Sequence, residues 1–241
     1  MDLCKNCDAT LDGPYCPACG QRDVDLERPF LELASEILKE TVDVDGRAWR
    51  TLKILFAQPG RLTSEFLAGK RKTYTPPLRL YIFISVSFFL LMAWAASRGL
   101  LLDPAQTLEA DAARQASFMS DELPRLMFLL MPVYALILKA FFRKRLYFDH
   151  LIFSVHLHSA AYVILGVMLP FEGVASENVP AMILQISLLA YFMAYLVISL
   201  RHVYSTTWIG AAARSLAILF AYMIVVSGLI EATSSFLIIS D

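Results

Sequence analysis

The four cysteines of this chain have a spacing that is typical of a metal site. Cys4, Cys7, Cys16 and Cys19 are the only cysteines among 241 residues, and they form two Cys-x2-Cys pairs separated by eight residues. Each pair can direct two thiolates at one ion, so the two pairs together supply the four sulfur ligands of a closed tetrahedral zinc site. With every ligand supplied by protein, the site favours a structural or docking role. We predict a zinc ribbon over residues 1–22 that holds one structural Zn²⁺.

Disulfide bonds and a redox-active Cys-x-x-Cys pair are the alternatives for these cysteines. Met1 to Gly20 contains no apolar signal-peptide core, which favours a cytoplasmic amino terminus. Disulfides are disfavoured in that reducing compartment, and a redox pair would not need duplication. The pattern therefore favours zinc.

A second group of residues with chemical potential lies within an apolar segment. Asp149, His150, His156 and His158 fall within ten residues, and His202 ends a later apolar run. Ionisable groups inside a membrane are candidates for proton transfer or ligand binding. His156 and His158 are about 200° apart on a helical wheel, so one helix face cannot present both to one ion. The alternative is that each neutral imidazole makes a hydrogen bond between helices.

Composition and hydropathy indicate that a polytopic membrane body positions these residues. Hydrophobic residues make up 57% and charged residues 18% of the chain, and the mean hydropathy is +0.56. Ordinary soluble domains are roughly 25% charged. Apolar runs near the ~20 residues needed to cross a bilayer predict five helical spans. These are Leu80–Ser97, Leu126–Phe142, Leu151–Phe171, Ala181–Leu200 and Ala211–Ile230.

The segment between the ribbon and the first span, residues 23–77, is predicted to form amphipathic helices. Their approximate limits are Pro29–Thr41, Arg47–Ala57 and Leu62–Ala68, and Lys70, Arg71 and Lys72 follow as a basic cluster. Basic amphipathic helices beside a span often lie in the headgroup region, where such a cluster contacts anionic lipid. Packing of their apolar faces on the membrane body is the alternative. Lipid accounts for the basic cluster, so no nucleic-acid partner is predicted.

The distribution of basic residues predicts how the membrane domain, residues 78–241, is oriented. Lys and Arg are concentrated before the first span, between the second and third, and between the fourth and fifth. The other connections are acidic. The positive-inside rule then places the amino terminus in the cytoplasm and the carboxyl terminus outside.

Several ordered motifs link these parts. They are Cys16-Pro-Ala-Cys19-Gly20-Gln21, Asp45-Gly46, Thr51-Leu52, Gln58-Pro59-Gly60, Glu65-Phe66-Leu67-Ala68-Gly69-Lys70-Arg71-Lys72-Thr73-Tyr74, and the segment from Asp149 to His158. In this order they resemble an uncharacterised bacterial family of zinc-ribbon membrane proteins, domain of unknown function 3667. The resemblance implies a bacterial inner-membrane protein with a cytoplasmic ribbon, and it implies no reaction.

Two hypotheses of function follow. The first is a membrane scaffold or regulator whose ribbon docks a protein partner. The second is a transporter or intramembrane enzyme for a small or lipidic substrate, with His150, His156 and His158 lining a cavity open to the cytoplasm. The closed metal site and the lack of a catalytic motif favour the first.

Overall fold

The regular structure of the chain is helical, as its apolar runs predict. The computed structural model describes residues 3–23, 47–97, 123–171 and 178–240. In these ranges it contains the helices α1 (Arg47–Ala57), α2 (Arg61–Leu67), α3 (Pro77–Ser97), α4 (Leu123–Phe141), α5 (Tyr147–Met168), α6 (Val179–Tyr204) and α7 (Trp208–Ser240), with a 3-10 turn at Leu169–Phe171. The predicted all-α class is confirmed. The predicted helix Pro29–Thr41 lies outside the described residues.

Four of these helices, α3, α5, α6 and α7, are long and apolar enough to cross a membrane. The second predicted span corresponds to α4, whose apolar stretch in the described region is shorter, Leu126–Phe141. Pro132 lies inside α4 and removes one backbone hydrogen bond from it. The five apolar helices thus occur in the predicted order, and four of them have the length of a full span.

Helix α5 is the centre of the bundle. It packs against α3, α4 and α6, while α7 packs against α4 and α6. Thirteen of its residues are buried, on all faces of the helix. Ser154, Ser159 and Ala160 are fully buried, and such small side chains allow neighbouring helices to approach closely. Apolar helices can also face lipid, but the buried histidine and serine side chains of α5 need partners on neighbouring helices, which favours its central position.

Helices α1 and α2 form a short hairpin that packs on the membrane bundle. Both have almost the predicted limits, and the turn Gln58-Pro59-Gly60 joins them. Their apolar faces are turned to the bundle: Leu55 and Leu62 are 2% and 3% exposed. Trp49, in contrast, is 76% exposed. Of the two predicted arrangements, the hairpin has the one in which its apolar faces pack on the membrane body.

The hairpin turn lies against the side of α6. Gly60 has a φ of +83°, and a Cβ at this position would be 2.9 Å from the Ser199 carbonyl oxygen. The Tyr191 hydroxyl donates to the Phe56 carbonyl at 2.8 Å. Tyr191 is about 20 Å along the helix axis from Tyr204 at the end of α6, using 1.5 Å per residue. The end of α1 therefore packs beside the middle of α6 rather than at its end.

Candidate metal centre and the histidine segment

The two Cys-x2-Cys turns have the same backbone hydrogen bonds, twelve residues apart. The Asp8 N–H donates to the Cys4 carbonyl and the Gly20 N–H to the Cys16 carbonyl, both at 2.9 Å. Asp8 and Gly20 have φ values of 59° and 69°, so each turn closes with a left-handed residue. Isolated β-bridges, Leu3 to Thr10 and Tyr15 to Arg22, flank the two turns. The cysteine module is thus a pair of equivalent knuckles facing each other.

The four sulfur atoms lie close enough to bind one ion. All four are within 4.8 Å of one another, and the pairs Cys4–Cys19 and Cys7–Cys16 are 3.6 Å apart. Four sulfur ligands about 2.3 Å from a central ion would stand about 3.8 Å apart at the corners of a tetrahedron. A disulfide would instead need sulfur atoms about 2 Å apart. The donor set and its spacing fit a tetrahedral metal ion.

Backbone N–H groups of the second knuckle favour the thiolate form of Cys16. The N–H groups of Cys19 and Ala18 lower the pKa of the Cys16 thiol to about 6. A thiolate is the form that binds metal, so Cys16 ionises readily to its ligand form. At Cys7, in contrast, a backbone hydrogen bond lowers the pKa of the thiol, but burial and the neighbouring thiols together raise it.

The cysteine module is docked on the segment that leads into α3. The Gln21 side-chain amide donates to the Gly69 carbonyl at 2.7 Å, and its oxygen accepts the Arg71 N–H at 2.9 Å. The Thr73 hydroxyl donates to the Asn6 side chain at 2.8 Å. Gln21 belongs to the second knuckle and Asn6 to the first, so both knuckles contact the same strip of chain. We call the cysteine module, residues 3–23, the head, and residues 69–73 its docking strip.

The basic cluster Lys70, Arg71 and Lys72 lies within this docking strip. The Lys70 ammonium is 3.7 Å from the Glu65 carboxylate, and the Arg71 guanidinium lies 5.6 Å from the centre of the Phe66 ring. Partial burial opposes ionisation of Glu65, but hydrogen bonds from Tyr74 and Arg61 and the nearby cations lower its pKa. Lys72 is exposed and directs its charge to the surroundings. The main chain of the cluster holds the head, while its side chains differ in exposure.

The histidines of the predicted site are hydrogen-bonded to three different helices. His150 Nδ1 is 2.7 Å from the Tyr204 hydroxyl on α6, and His156 Nδ1 is 2.9 Å from the Thr63 hydroxyl on α2. His158 Nε2 is 2.9 Å from the Tyr222 hydroxyl on α7. All three rings are buried. The structure therefore does not bring them to a common cavity, and each links α5 to a different neighbour.

The remaining predicted site residues lie apart from these contacts. Asp149 is partly exposed in the first turn of α5. His202 is exposed on α6 and lies beside the hairpin turn. A Cβ added at Gly60 would be 3.2 Å from the Cβ of His202. The hydroxyl partners Thr63, Tyr204 and Tyr222 were not predicted. The sequence gives little indication of these partners, because a hydroxyl group in an apolar helix can make a hydrogen bond to residues at many positions.

Comparison with known protein families gives a match in the first half of the chain. Residues 45–89 match the model of the family described as Protein of unknown function (DUF3667). This segment includes α1, the hairpin turn, α2, the docking strip and the first part of α3. No curated protein and no solved structure matches the chain. The predicted family resemblance is thus confirmed over this segment, which contains the hairpin and the docking strip.

Proposed function

We propose that this protein is a membrane scaffold whose zinc-bound head forms a docking platform on the cytoplasmic side of a bacterial inner membrane. The observation that carries the proposal is the bond between Gln21 and the docking strip. A head on a flexible tether would search a large volume for a partner. A head fixed by several hydrogen bonds presents its surface in one orientation, which lowers the entropic cost of binding.

Zinc is the ion that best suits this role. An all-sulfur tetrahedral donor set selects zinc or iron. Zinc has no redox chemistry, and a small module with few apolar contacts gains much of its folding free energy from such an ion. We expect elemental analysis of the full chain, purified without chelator, to find one zinc per chain. Cys16→Ser should remove the ion and unfold the head, while membrane insertion of the helices continues. A disulfide among the four cysteines, or iron in place of zinc, would contradict the assignment.

A cytoplasmic head is supported by the charges around it. The rings of Phe66 on α2 and Phe148 on α5 are 6.5 Å apart, so the start of α5 lies beside the hairpin and its docking strip. At this end the Arg145 guanidinium donates to the Val203 carbonyl at 2.7 Å, and the Arg214 guanidinium lies 5.1 Å from the centre of the Phe142 ring. Basic residues at one end of a bundle favour the cytoplasmic side. They also suit anionic lipid headgroups, which we propose as contacts of Lys70, Arg71 and Lys72.

The head also offers a surface for a protein partner. Leu3 and Tyr15 occupy equivalent positions in the two knuckles and are 58% and 57% exposed. We propose that a protein partner contacts this pair of side chains. Replacing both by Ser should abolish function in cells without loss of metal. Unchanged function of that variant would exclude this surface.

A complementation experiment distinguishes the scaffold role from a role as a transporter or intramembrane enzyme. In cells that lack their own copy of the gene, Gln21→Ala should reduce function because the head loses its fixed orientation. His150→Gln keeps a polar side chain of similar length and should retain function. Folded yield of each variant, measured in detergent, is the control. The scaffold proposal would be contradicted if His150→Gln lost function at normal folded yield while Gln21→Ala kept it. That result would favour a transporter or an intramembrane enzyme.

A further inference from the structure

A cavity of about 210 Å³ lies inside the bundle between α4, α5, α6 and α7. Its inner wall contains buried side chains from three helices, including Leu130, Tyr134 and His158. Leu165 and Met223, at 42% and 47% exposure, lie at its rim. Leu165 lies near the end of α5 that is far from the head, and Met223 lies near the middle of α7. The cavity is therefore separate from the head and reaches the lipid-facing surface of the bundle.

The hydrogen bonds of the inner wall have a defined direction. The Ser154 hydroxyl donates to the Met131 carbonyl at 2.8 Å. His158 Nδ1 is 2.8 Å from the Ser154 carbonyl, which can only accept, so this nitrogen carries the hydrogen. Nε2 of the neutral ring is then an acceptor, and the Tyr222 hydroxyl must donate to it. The oxygen of Tyr222 keeps its capacity to accept a hydrogen bond.

Tyr134 supplies a second polar group to the same wall. Its ring centre is 5.0 Å from that of Tyr222 and 5.6 Å from that of His158, both in edge-on contact. Tyr134 is 2% exposed, and its hydroxyl has no hydrogen-bond partner within the described part of the chain. A buried hydroxyl without a partner is unfavourable, and each such group in a folded protein calls for an explanation. A ligand that accepts its hydrogen would provide one.

We infer that this cavity binds an uncharged, mainly apolar molecule that places a hydrogen-bonding oxygen in the cavity, such as a prenyl quinone or a prenyl alcohol. No Asp, Glu, Lys or Arg is among the described side chains that line the cavity, which argues against a charged headgroup. An engineered cavity of about 150 Å³ in another protein holds benzene, so the volume here accommodates one ring or a short branched chain. The Tyr134 hydroxyl is covered by its neighbours, and in this proposal the side chain shifts to donate to the oxygen of the ligand, while Tyr222 can accept from an alcohol.

The rim gives such a ligand its route of entry. Leu165 and Met223 face the apolar part of the membrane, where prenyl lipids are dissolved. The end of the ligand that carries the oxygen enters between these two residues, and the rest of its chain remains at the rim or in the bilayer. This binding does not depend on the scaffold role, because the head and the cavity share no residue.

Direct binding to the full chain tests this inference. The protein is reconstituted in phosphatidylcholine nanodiscs that contain decylubiquinone or farnesol, and the ligand retained per chain is measured against its mole fraction. We expect saturation at one ligand per chain for at least one of the two probes. Saturation by decylubiquinone alone identifies the quinone class, and saturation by farnesol alone identifies the alcohol class. Retention that only rises in proportion to mole fraction, as in empty nanodiscs, would overturn the inference.

Four variants locate the binding. Tyr134→Phe removes only the hydroxyl and should weaken binding about five- to tenfold, the usual effect of one hydrogen bond. Met223→Trp closes the rim from a half-exposed position and should abolish binding with little effect on folding. Tyr195→Phe removes a buried hydroxyl outside the cavity and should bind like the wild type. Gln21→Ala should also bind normally, since it disturbs only the head. Unchanged binding in both Tyr134→Phe and Met223→Trp would place the ligand elsewhere.

Discussion

Gln21 and Gly69 are 48 residues apart in the chain, and the Gln21 amide donates to the Gly69 carbonyl at 2.7 Å. The same side chain accepts the backbone N–H groups of Arg71 and Lys72 at 2.9 and 3.3 Å. One glutamine therefore joins the second cysteine knuckle to the strip that ends shortly before α3 begins at Pro77. The position of the metal site relative to the membrane body depends on this contact.

We expect Gln21→Ala to release the head without loss of metal. The substitution removes about three hydrogen bonds of ~1 kcal/mol each, so docking should weaken by about 2–3 kcal/mol. Hydrogen exchange of the Arg71 and Lys72 amides should become at least tenfold faster, while amides inside α5 are unaffected. Asn6→Ala removes one side-chain contact of the head and should give a smaller change. Equal exchange rates in the wild type and Gln21→Ala would show that other contacts hold the head.

Gly60→Ala should destabilise the contact of the hairpin with α6. Alanine is strained at a φ of +83°, and its Cβ would be 2.9 Å from the Ser199 carbonyl oxygen. Strain and displacement together should reduce the free energy of unfolding by about 2–4 kcal/mol. Gly228→Ala is the matched control, because nothing lies within 4 Å of its added Cβ. It lies within a helix and should raise stability slightly. Denaturation in mixed micelles compares the two, and an equal effect of both substitutions would contradict the close packing at Gly60.

The bond between Thr63 and His156 should stabilise the hairpin on the bundle. The two side chains are 2.9 Å apart and buried. Thr63→Val keeps the shape of the side chain but leaves His156 Nδ1 without this partner, which should cost about 1–3 kcal/mol. In a double-mutant cycle with His156→Leu, the two effects should be non-additive by about 1 kcal/mol or more. Additive effects would mean that the contact contributes nothing to stability.

Reporter fusions test the predicted orientation of the spans. Fusions after Lys144 and after Arg201 should report cytoplasm, because basic connections remain inside. Fusions near Ala110, near Ser176 and at Asp241 should report the exterior. A carboxyl terminus in the cytoplasm would show that one of the five apolar helices does not cross the membrane. The shorter helix α4 would then be the first candidate.

Helix limits and the cluster of four cysteines could be predicted because they depend on local chemistry. The limits of α1 and α2 follow from Pro59-Gly60 and Gly69, because Gly60 and Gly69 have positive φ values that end a helix. The apolar helices follow from the length of their runs. The cysteines lie within sixteen residues of each other, so short turns are enough to bring their sulfur atoms together.

The histidines mark the limit of such reasoning. The angle of about 200° between His156 and His158 correctly predicts that they serve opposite faces of one helix. It does not tell which helix lies opposite each face, and the structure provides α2 for His156 and α7 for His158. The partner of Gln21, the position of the hairpin beside α6 and the cavity at Tyr134 are likewise decided by the tertiary structure. Periodicity and spacing describe one element at a time, whereas these contacts arise only when elements far apart in the chain pack together.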